Sequence, residues 1–482
     1  MLFNSLGFAI FLPIVFILYW FVTNKSLRLQ NFMLVVASYF FYCCWDWRFG
    51  FLLAFSTLLD FYSGLAIERS DTKARKKMWL VLSVTINLGF LCFFKYYNFF
   101  IESFSDFIGN FGLHPHFSTL SIILPVGISF YTFHGLSYVF DIYNGKAKPT
   151  TNLVNYALFV SFFPLLVAGP IERATHLLPQ FFTRREMTYH RMVDGSFQIL
   201  WGLFKKVVIA DNAAQLVDII FHKEGGSASV FALGPILFAF QVYGDFSGYS
   251  DIALGTAKLF GIDLMTNFRY PYFSRDIAEF WRRWHISLST WFRDYLYIPL
   301  GGNKDGLWIK IRNTMIIFTV SGFWHGSSWN YIFWGVLNGL YVVPLILRNS
   351  HRKNMEIIAA HSALPSFRDA MGVIITFSLT CFGFIIFRTE SMHHAFAYMG
   401  HLLHPSILSI PKLSSGQNTT MLIVLVMVSI LFITEWFYRR KEYAFQDIYK
   451  SSLWKQSAII FVLVLLIFFF GGKQADFIYF QF

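Results

Sequence analysis

One histidine stands out for its setting. His325 lies in Ser321-Gly322-Phe323-Trp324-His325-Gly326-Ser327-Ser328-Trp329-Asn330, between long apolar runs. The run before it (315–320) is entered from Lys304, Lys310 and Arg312, and the run after it (331–347) leaves into Arg348, Arg352 and Lys353. Positive charge marks the cytoplasmic side of a membrane. Both arms therefore start and end on that side, and His325 sits near the tip of a hairpin. Counted from Arg312, His325 is roughly 20 Å deep at about 1.5 Å per helical residue, well inside a hydrocarbon layer of about 30 Å. An ionisable group at that depth is costly and marks function by default. The alternative is a hydrogen-bonded structural histidine. Gly322 and Gly326 would let a ligand approach the backbone closely, and Trp324 and Asn330 are candidates for lining the same space.

A neutral imidazole can take the proton of a hydroxyl as its oxygen attacks an acyl carbon, help worth about 10² to 10⁴ in rate. Burial keeps the ring in its neutral, basic form at neutral pH. The sequence holds no G-x-S-x-G elbow, H-E-x-x-H zinc motif or P-loop. The four cysteines (Cys43, Cys44, Cys92, Cys381) lie in apolar runs with neither metal nor disulfide spacing.

A second histidine, His285, lies in the charged and aromatic stretch 269–303. There Arg275, Asp276, Glu279, Arg282, Arg283, Arg293 and Asp294 alternate with Phe280, Trp281, Trp284, Leu288, Trp291 and Phe292. The stretch is too charged to span a bilayer. It reads as an amphipathic helix at the cytoplasmic interface or on the wall of a polar funnel. Helical spacing puts His285 on one face with Trp281, Arg282, Leu288 and Phe292, and Glu279 pairs with Arg283 at i,i+4. His285 is either a member of the site or an interfacial histidine without special role. Asp245 and Asp251 lie in an otherwise apolar helix and need partners. A structural set with Arg or backbone N–H groups is the first expectation for them, and lining of the funnel the second.

These residues need a membrane scaffold to position them. The chain has 482 residues, 56% hydrophobic and 14% charged, with 60 Phe, and a net charge of +12. A soluble fold of this size could not cover so much apolar surface. The basic residues sit in short loops between apolar runs, which the positive-inside rule explains without nucleic acid. The expectation is an all-α polytopic membrane protein of about 11 transmembrane helices, plus re-entrant and interfacial helices, in a single domain over 1–482.

The first helices fall at about 5–23, 29–47, 49–67, 78–101 and 119–143. The loop 68–77, with Arg69, Lys73, Arg75, Lys76 and Lys77, is the strongest cytoplasmic marker. Segment 152–170 ends in Gly169-Pro170, which breaks a helix. Irregular backbone at membrane depth is tolerated only where protein or a water-filled cavity surrounds it. Helices follow at 195–221, 230–260, 370–387, 420–438 and about 457–471. Loop charges put both termini on the outer face. The first helix lacks a cleavage pattern and reads as a membrane helix rather than a signal peptide. No two halves match, which weighs against many secondary transporters.

Six segments carry a family resemblance. They are Leu124-Pro125-Val126-Gly127-Ile128-Ser129-Phe130-Tyr131-Thr132-Phe133, Phe163-Pro164-Leu165-Leu166-Val167-Ala168-Gly169-Pro170-Ile171 and Asp245-Phe246-Ser247-Gly248-Tyr249-Ser250-Asp251, then Phe280-Trp281-Arg282-Arg283-Trp284-His285-Ile286-Ser287-Leu288-Ser289, Tyr295-Leu296-Tyr297-Ile298-Pro299-Leu300-Gly301-Gly302 and Gly322-Phe323-Trp324-His325-Gly326. In this order they resemble the membrane-bound O-acyltransferase (MBOAT) family. They look most like its bacterial branch, which includes alginate O-acetyltransferases and the D-alanyl transfer protein of teichoic acid modification. The core motifs cover about 120–345, and the helices over 370–482 look more like the alginate type.

The resemblance implies a ring of helices around a central funnel, with His325 as the presumed base and His285 as the second histidine of the branch. It implies a bacterial cytoplasmic (inner) membrane location. The donor would be acetyl-coenzyme A, a substrate rather than a bound cofactor, with phosphates suited to Arg282 and Arg283. The acetyl group would pass to an extracytoplasmic polysaccharide through a periplasmic SGNH/esterase-like acetyltransferase partner. D-alanyl transfer from a carrier protein is the alternative within the fold, and a non-catalytic transporter the alternative outside it. His134 stands where the branch would carry a polar non-histidine residue, and it reads as structural. The terminal Phe477-Ile478-Tyr479-Phe480-Gln481-Phe482 is similar to the end of a small partner peptide in D-alanyl transfer systems. Tyr479 is accordingly a candidate acyl relay, or else an aromatic interface anchor.

Overall fold

The computed structural model describes residues 1–112, 119–167, 169–223, 225–304 and 306–478. Every regular element among them is helical. Seven of these helices are long and apolar enough to cross a membrane: Trp47–Arg69, Lys73–Gly109, Ala228–Leu259, Trp329–Leu347, Phe367–Arg388, Ser415–Tyr438 and Leu453–Phe470. Leu6–Val22 is apolar but shorter. This is the all-α polytopic membrane protein that composition requires. The chain divides into two compact units, Met1–Met187 with Phe260–Met265, and Thr188–Leu259 with Thr266–Phe482.

The first unit holds α1 (Leu6–Ile17), α2 (Leu27–Cys43), α3 (Trp47–Arg69), α4 (Lys73–Leu91), α5 (Tyr97–Gly109), α6 (Ile128–Tyr143) and α7 (Leu153–Ser161). A π turn, Cys92–Tyr96, joins α4 to α5. A medium without water favours polar groups that pair within the protein, and one such cluster is buried here. Asp60 on α3 accepts from Ser83 at 2.6 Å and from Asn87 at 2.7 Å.

The helix expected over 119–143 begins only at Ile128. Gly127 takes a left-handed φ of 74°, and a β-carbon there would fall on the Leu166 carbonyl oxygen. The chain before Gly127 is therefore non-helical. Beyond α7 the backbone is irregular apart from single turns, and it is buried at Phe162, Leu165 and Ile171. The expected break at Gly169-Pro170 is thus enclosed by protein. His134 is fully buried on α6, its ring 5.9 Å from that of Phe159.

The second unit carries α8 (Tyr189–Leu203), α9 (Asp211–Phe221), α10 (Ala228–Leu259), α11 (Ile277–Arg283), α12 (Ile286–Phe292), α13 (Leu307–His325), α14 (Trp329–Leu347), α15 (Phe367–Arg388), α16 (Met392–Leu402), α17 (Ser415–Tyr438) and α18 (Leu453–Phe470). A π stretch, Phe204–Ala210, links α8 to α9. Helix α10 is the axis of this unit, 32 residues long and buried over most of its length. The hairpin α13–α14 is closed by Ser328, whose hydroxyl accepts from the Asn330 N–H at 3.3 Å.

Candidate functional site

The hairpin reading places His325 at a helix tip, and it is the last residue of α13. The two arms meet at backbone contact. A β-carbon on Gly322 would fall on the Tyr331 carbonyl oxygen and lie 3.1 Å from the Gly335 Cα, and one on Gly326 would run into the Tyr331 ring. The space expected for a ligand beside these glycines is therefore filled by α14. Their smallness lets two helices close, and that closure fixes the imidazole at the tip.

His285 reaches the same place by another route. The stretch 269–303 reads as an amphipathic helix, but the structure has two short helices within it, α11 and α12, broken at Trp284 and His285. His285 adopts φ 44°, ψ 54°. A left-handed non-glycine residue of this kind costs of order 1–3 kcal/mol and clusters at functional sites. The break is held from outside the helix, where Asn267 O accepts from Ile286 N at 2.9 Å and Arg283 O accepts from Arg269 N at 3.0 Å. The face that spacing gave His285 with Trp281, Arg282, Leu288 and Phe292 does not survive the break.

The two imidazoles lie 6.5 Å apart between ring centroids, and they are 1% and 5% exposed. Trp324 touches both, at 5.8 Å from His285 and 5.1 Å from His325. Trp334 and Phe387 meet the His325 ring edge-on, at 5.2 and 5.6 Å. Phe246 meets His285 edge-on at 4.6 Å. Two bases thus stand in an aromatic enclosure, a setting for proton transfer shielded from water.

The remaining candidates divide. Asn330 is buried and donates to the carbonyl oxygens of Thr389 at 2.6 Å and Ile386 at 3.2 Å, tying α14 to the end of α15. Arg282 donates to the carbonyls of His351 at 2.9 Å and Asn354 at 2.7 Å. Arg283 pairs with Glu279 at 2.8 Å, as the i,i+4 spacing predicts. Both arginines line a cavity of about 170 Å³ that Arg269, Arg439, Lys441 and the Glu279 carboxylate also face, so cations outnumber the one anion in its wall. It is a cationic recess two to three residues before His285 in the chain. Tyr479 lies outside the described residues.

Asp245 and Asp251 have lysine partners rather than arginines. Lys206 lies 2.8 Å from both Asp245 and Asp211, and Lys205 lies 2.5 Å from Asp251. Lys205 also donates to Ser247 at 2.9 Å, and Gln198 donates to Asp251 at 3.0 Å. Glu435, buried on α17, accepts from Tyr243 at 2.7 Å. Sequence reasoning missed Lys205, Lys206, Asp211 and Glu435. The signal was there in two adjacent lysines within an apolar run. The π stretch that turns both lysines toward α10 was not readable, and such stretches recur at functional sites.

Comparison with known proteins places the chain among acyl-transfer proteins. A family model described as "MBOAT, membrane-bound O-acyltransferase family" matches residues 147–386. The "Probable alginate O-acetylase AlgI" of Pseudomonas aeruginosa is 40% identical over 82% of this chain and 73% of its own. The "Peptidoglycan O-acetyltransferase" of Helicobacter pylori is 32% identical over 100% of this chain and 98% of its own. The "Teichoic acid D-alanyltransferase" of Bacillus subtilis is 29% identical over 58% of this chain and 72% of its own.

Proposed function

The chain belongs to the membrane-bound O-acyltransferase family, and from that premise we propose that it moves an acetyl group from cytoplasmic acetyl-coenzyme A to an extracytoplasmic polysaccharide or to a partner acetyltransferase that serves one. The observation that carries this reading is the enclosed pair His285 and His325 beside Trp324. Neutral His325 removes the proton of the acceptor hydroxyl as its oxygen attacks the thioester carbonyl. The carbon–sulfur bond breaks, and the departing thiolate takes that proton back. His285 holds or orients the acyl carrier next to this base. Arg282 and Arg283, in their cationic recess, meet the phosphates of the donor.

In this reading the protein sits in the bacterial inner membrane, and the loop charges support both termini outside. A periplasmic SGNH/esterase-like partner then receives the acetyl group. Tyr479 directly follows Ile478 in sequence and serves as an intermediate acceptor. A free tyrosine phenol has a pKa of about 10, so such an acceptor needs a base to attack a thioester. Tyr479→Phe abolishes transfer if that relay operates, and unchanged transfer removes it.

The decisive experiment is His325→Ala in membranes, with polysaccharide acetylation as readout and insertion checked separately. Near-complete loss is expected. Retained acetylation would overturn the assignment in favour of passive conduction. The similarity to the teichoic acid enzyme keeps D-alanyl transfer from a carrier protein as second reading. It requires a phosphopantetheinyl carrier where the first requires acetyl-coenzyme A.

A further inference from the structure

The stretch between α18 and the end of the described chain has no regular secondary structure until its last residue, yet side chains within it are completely buried, with Phe477 0% and Ile478 1% exposed. Residues 471–476 before them are exposed or half-buried, and the backbone that enters the protein at Phe477 and Ile478 without a ladder needs partners for its N–H and C=O groups. They come from one place. Gly472 N donates to Val207 O at 2.9 Å, and Asn212 Nδ2 donates to Phe470 O at 2.8 Å. Lys206 Nζ donates to Ala475 O at 3.1 Å, Asp211 accepts from Ala475 N at 3.4 Å, and Asp245 accepts from Ile478 N at 2.7 Å. Lys206, Asp211 and Asp245 are themselves buried and paired with one another.

A buried ion pair is a weak device for stability, because desolvation offsets its attraction, and its best-attested use is to fix a register. This triad supplies two acceptors for N–H groups and one donor for a carbonyl, the complement of an extended backbone. The stretch it holds leads to the histidines. The Phe477 ring lies 4.2 Å from Tyr249 and 6.4 Å from Phe246, and Phe246 stands edge-on to His285.

We infer that Lys206, Asp211 and Asp245 are a charged clasp that seats residues 471–478 against Phe246, and that they serve acyl transfer as positioning residues for the His285 side of the site. The inference rests on the reading of the histidine pair as the transfer site. The three residues touch no reacting atom; they act through Phe477 and Phe246.

The test uses the full-length protein in detergent or nanodiscs. In Asp245→Ala, Lys206 keeps Asp211, so no cation is stranded and the fold is retained. Loss of a charge-assisted hydrogen bond should raise amide exchange over 475–478 about tenfold or more, with a comparable fall in kcat at unchanged donor KM. Asp245→Asn retains an oxygen acceptor and should restore both. Asp211→Ala, in which Lys206 keeps Asp245, should raise exchange at Ala475. Unchanged exchange in Asp245→Ala overturns the clasp. Raised exchange with unimpaired transfer overturns its positioning role, as does failure of Asp245→Asn to restore either. If instead His325→Ala retains acetylation, the site assignment fails while the exchange result still stands by itself.

Discussion

His285 and His325 lie 40 positions apart in sequence and 6.5 Å apart between ring centroids, with Trp324 against both. The contact joins a helix tip to a helix break, so neither imidazole is held by the element that holds the other.

Groups that act as one unit lose function non-additively. His325→Ala should cut transfer by about 10² to 10⁴. His285→Asn should cut it by less, and the double variant should be no worse than His325→Ala. Acetyl content of extracted polysaccharide, normalised to membrane-inserted protein, measures this. Multiplicative losses would show that the two rings work separately.

The hairpin α13–α14 should tolerate no side chain at its crossing. Gly322→Val drives a branched side chain into the Tyr331 carbonyl and the Gly335 backbone. Overpacking of this kind costs about 1–3 kcal/mol. A lowered thermal midpoint in detergent, with transfer lost in parallel, is the expected result. A midpoint equal to that of the unaltered protein would mean the arms can part without cost.

Lys205 should be worth more as a partner than as a residue. Lys205→Met leaves the partly buried Asp251 beside Gln198 without its cation. Stranding a fully buried charge costs about 3–5 kcal/mol, and the loss here should be smaller. Lys205→Met combined with Asp251→Asn should regain a large part of that loss. A thermal-unfolding double-mutant cycle reads the coupling, and additive losses would deny it.

In the first unit, His176 Nδ1 lies 2.8 Å from Glu172, whose other oxygen accepts from Met265 N. The hydrogen bond to Glu172 holds His176 above the usual histidine range, against its partial burial. A raised histidine stabilises the fold fully below its unfolded value of about 6.5, and that stability is lost as pH rises through the folded value. The gap in thermal midpoint between this protein and His176→Gln should therefore be widest below about pH 6.5 and narrow as pH rises above it. A gap that widens with rising pH would contradict the pair.

What could be read in advance followed from charge and hydropathy. Basic flanks on both sides of 315–347 gave the hairpin and the position of His325 at its tip, because charge placement is local information. The break at His285 was not readable. Its neighbours alternate as a continuous amphipathic helix would, and the interruption is held by Asn267 and Arg269, which spacing cannot reveal. Gly322 and Gly326 were legible as sites of close approach, but the approaching group was the facing helix arm. Asp245 and Asp251 were legible as carboxylates in need of partners. Which partners they found depends on the π stretch Phe204–Ala210, a backbone detail without a compositional mark.

The positive φ of His285 also separates two experiments that are usually treated as one. Alanine at this position removes the imidazole but keeps the unfavourable backbone, whereas glycine removes the imidazole and relaxes it. An enzyme made sturdier but slower by His285→Gly would show directly how much thermal robustness the native chain forgoes to aim that ring.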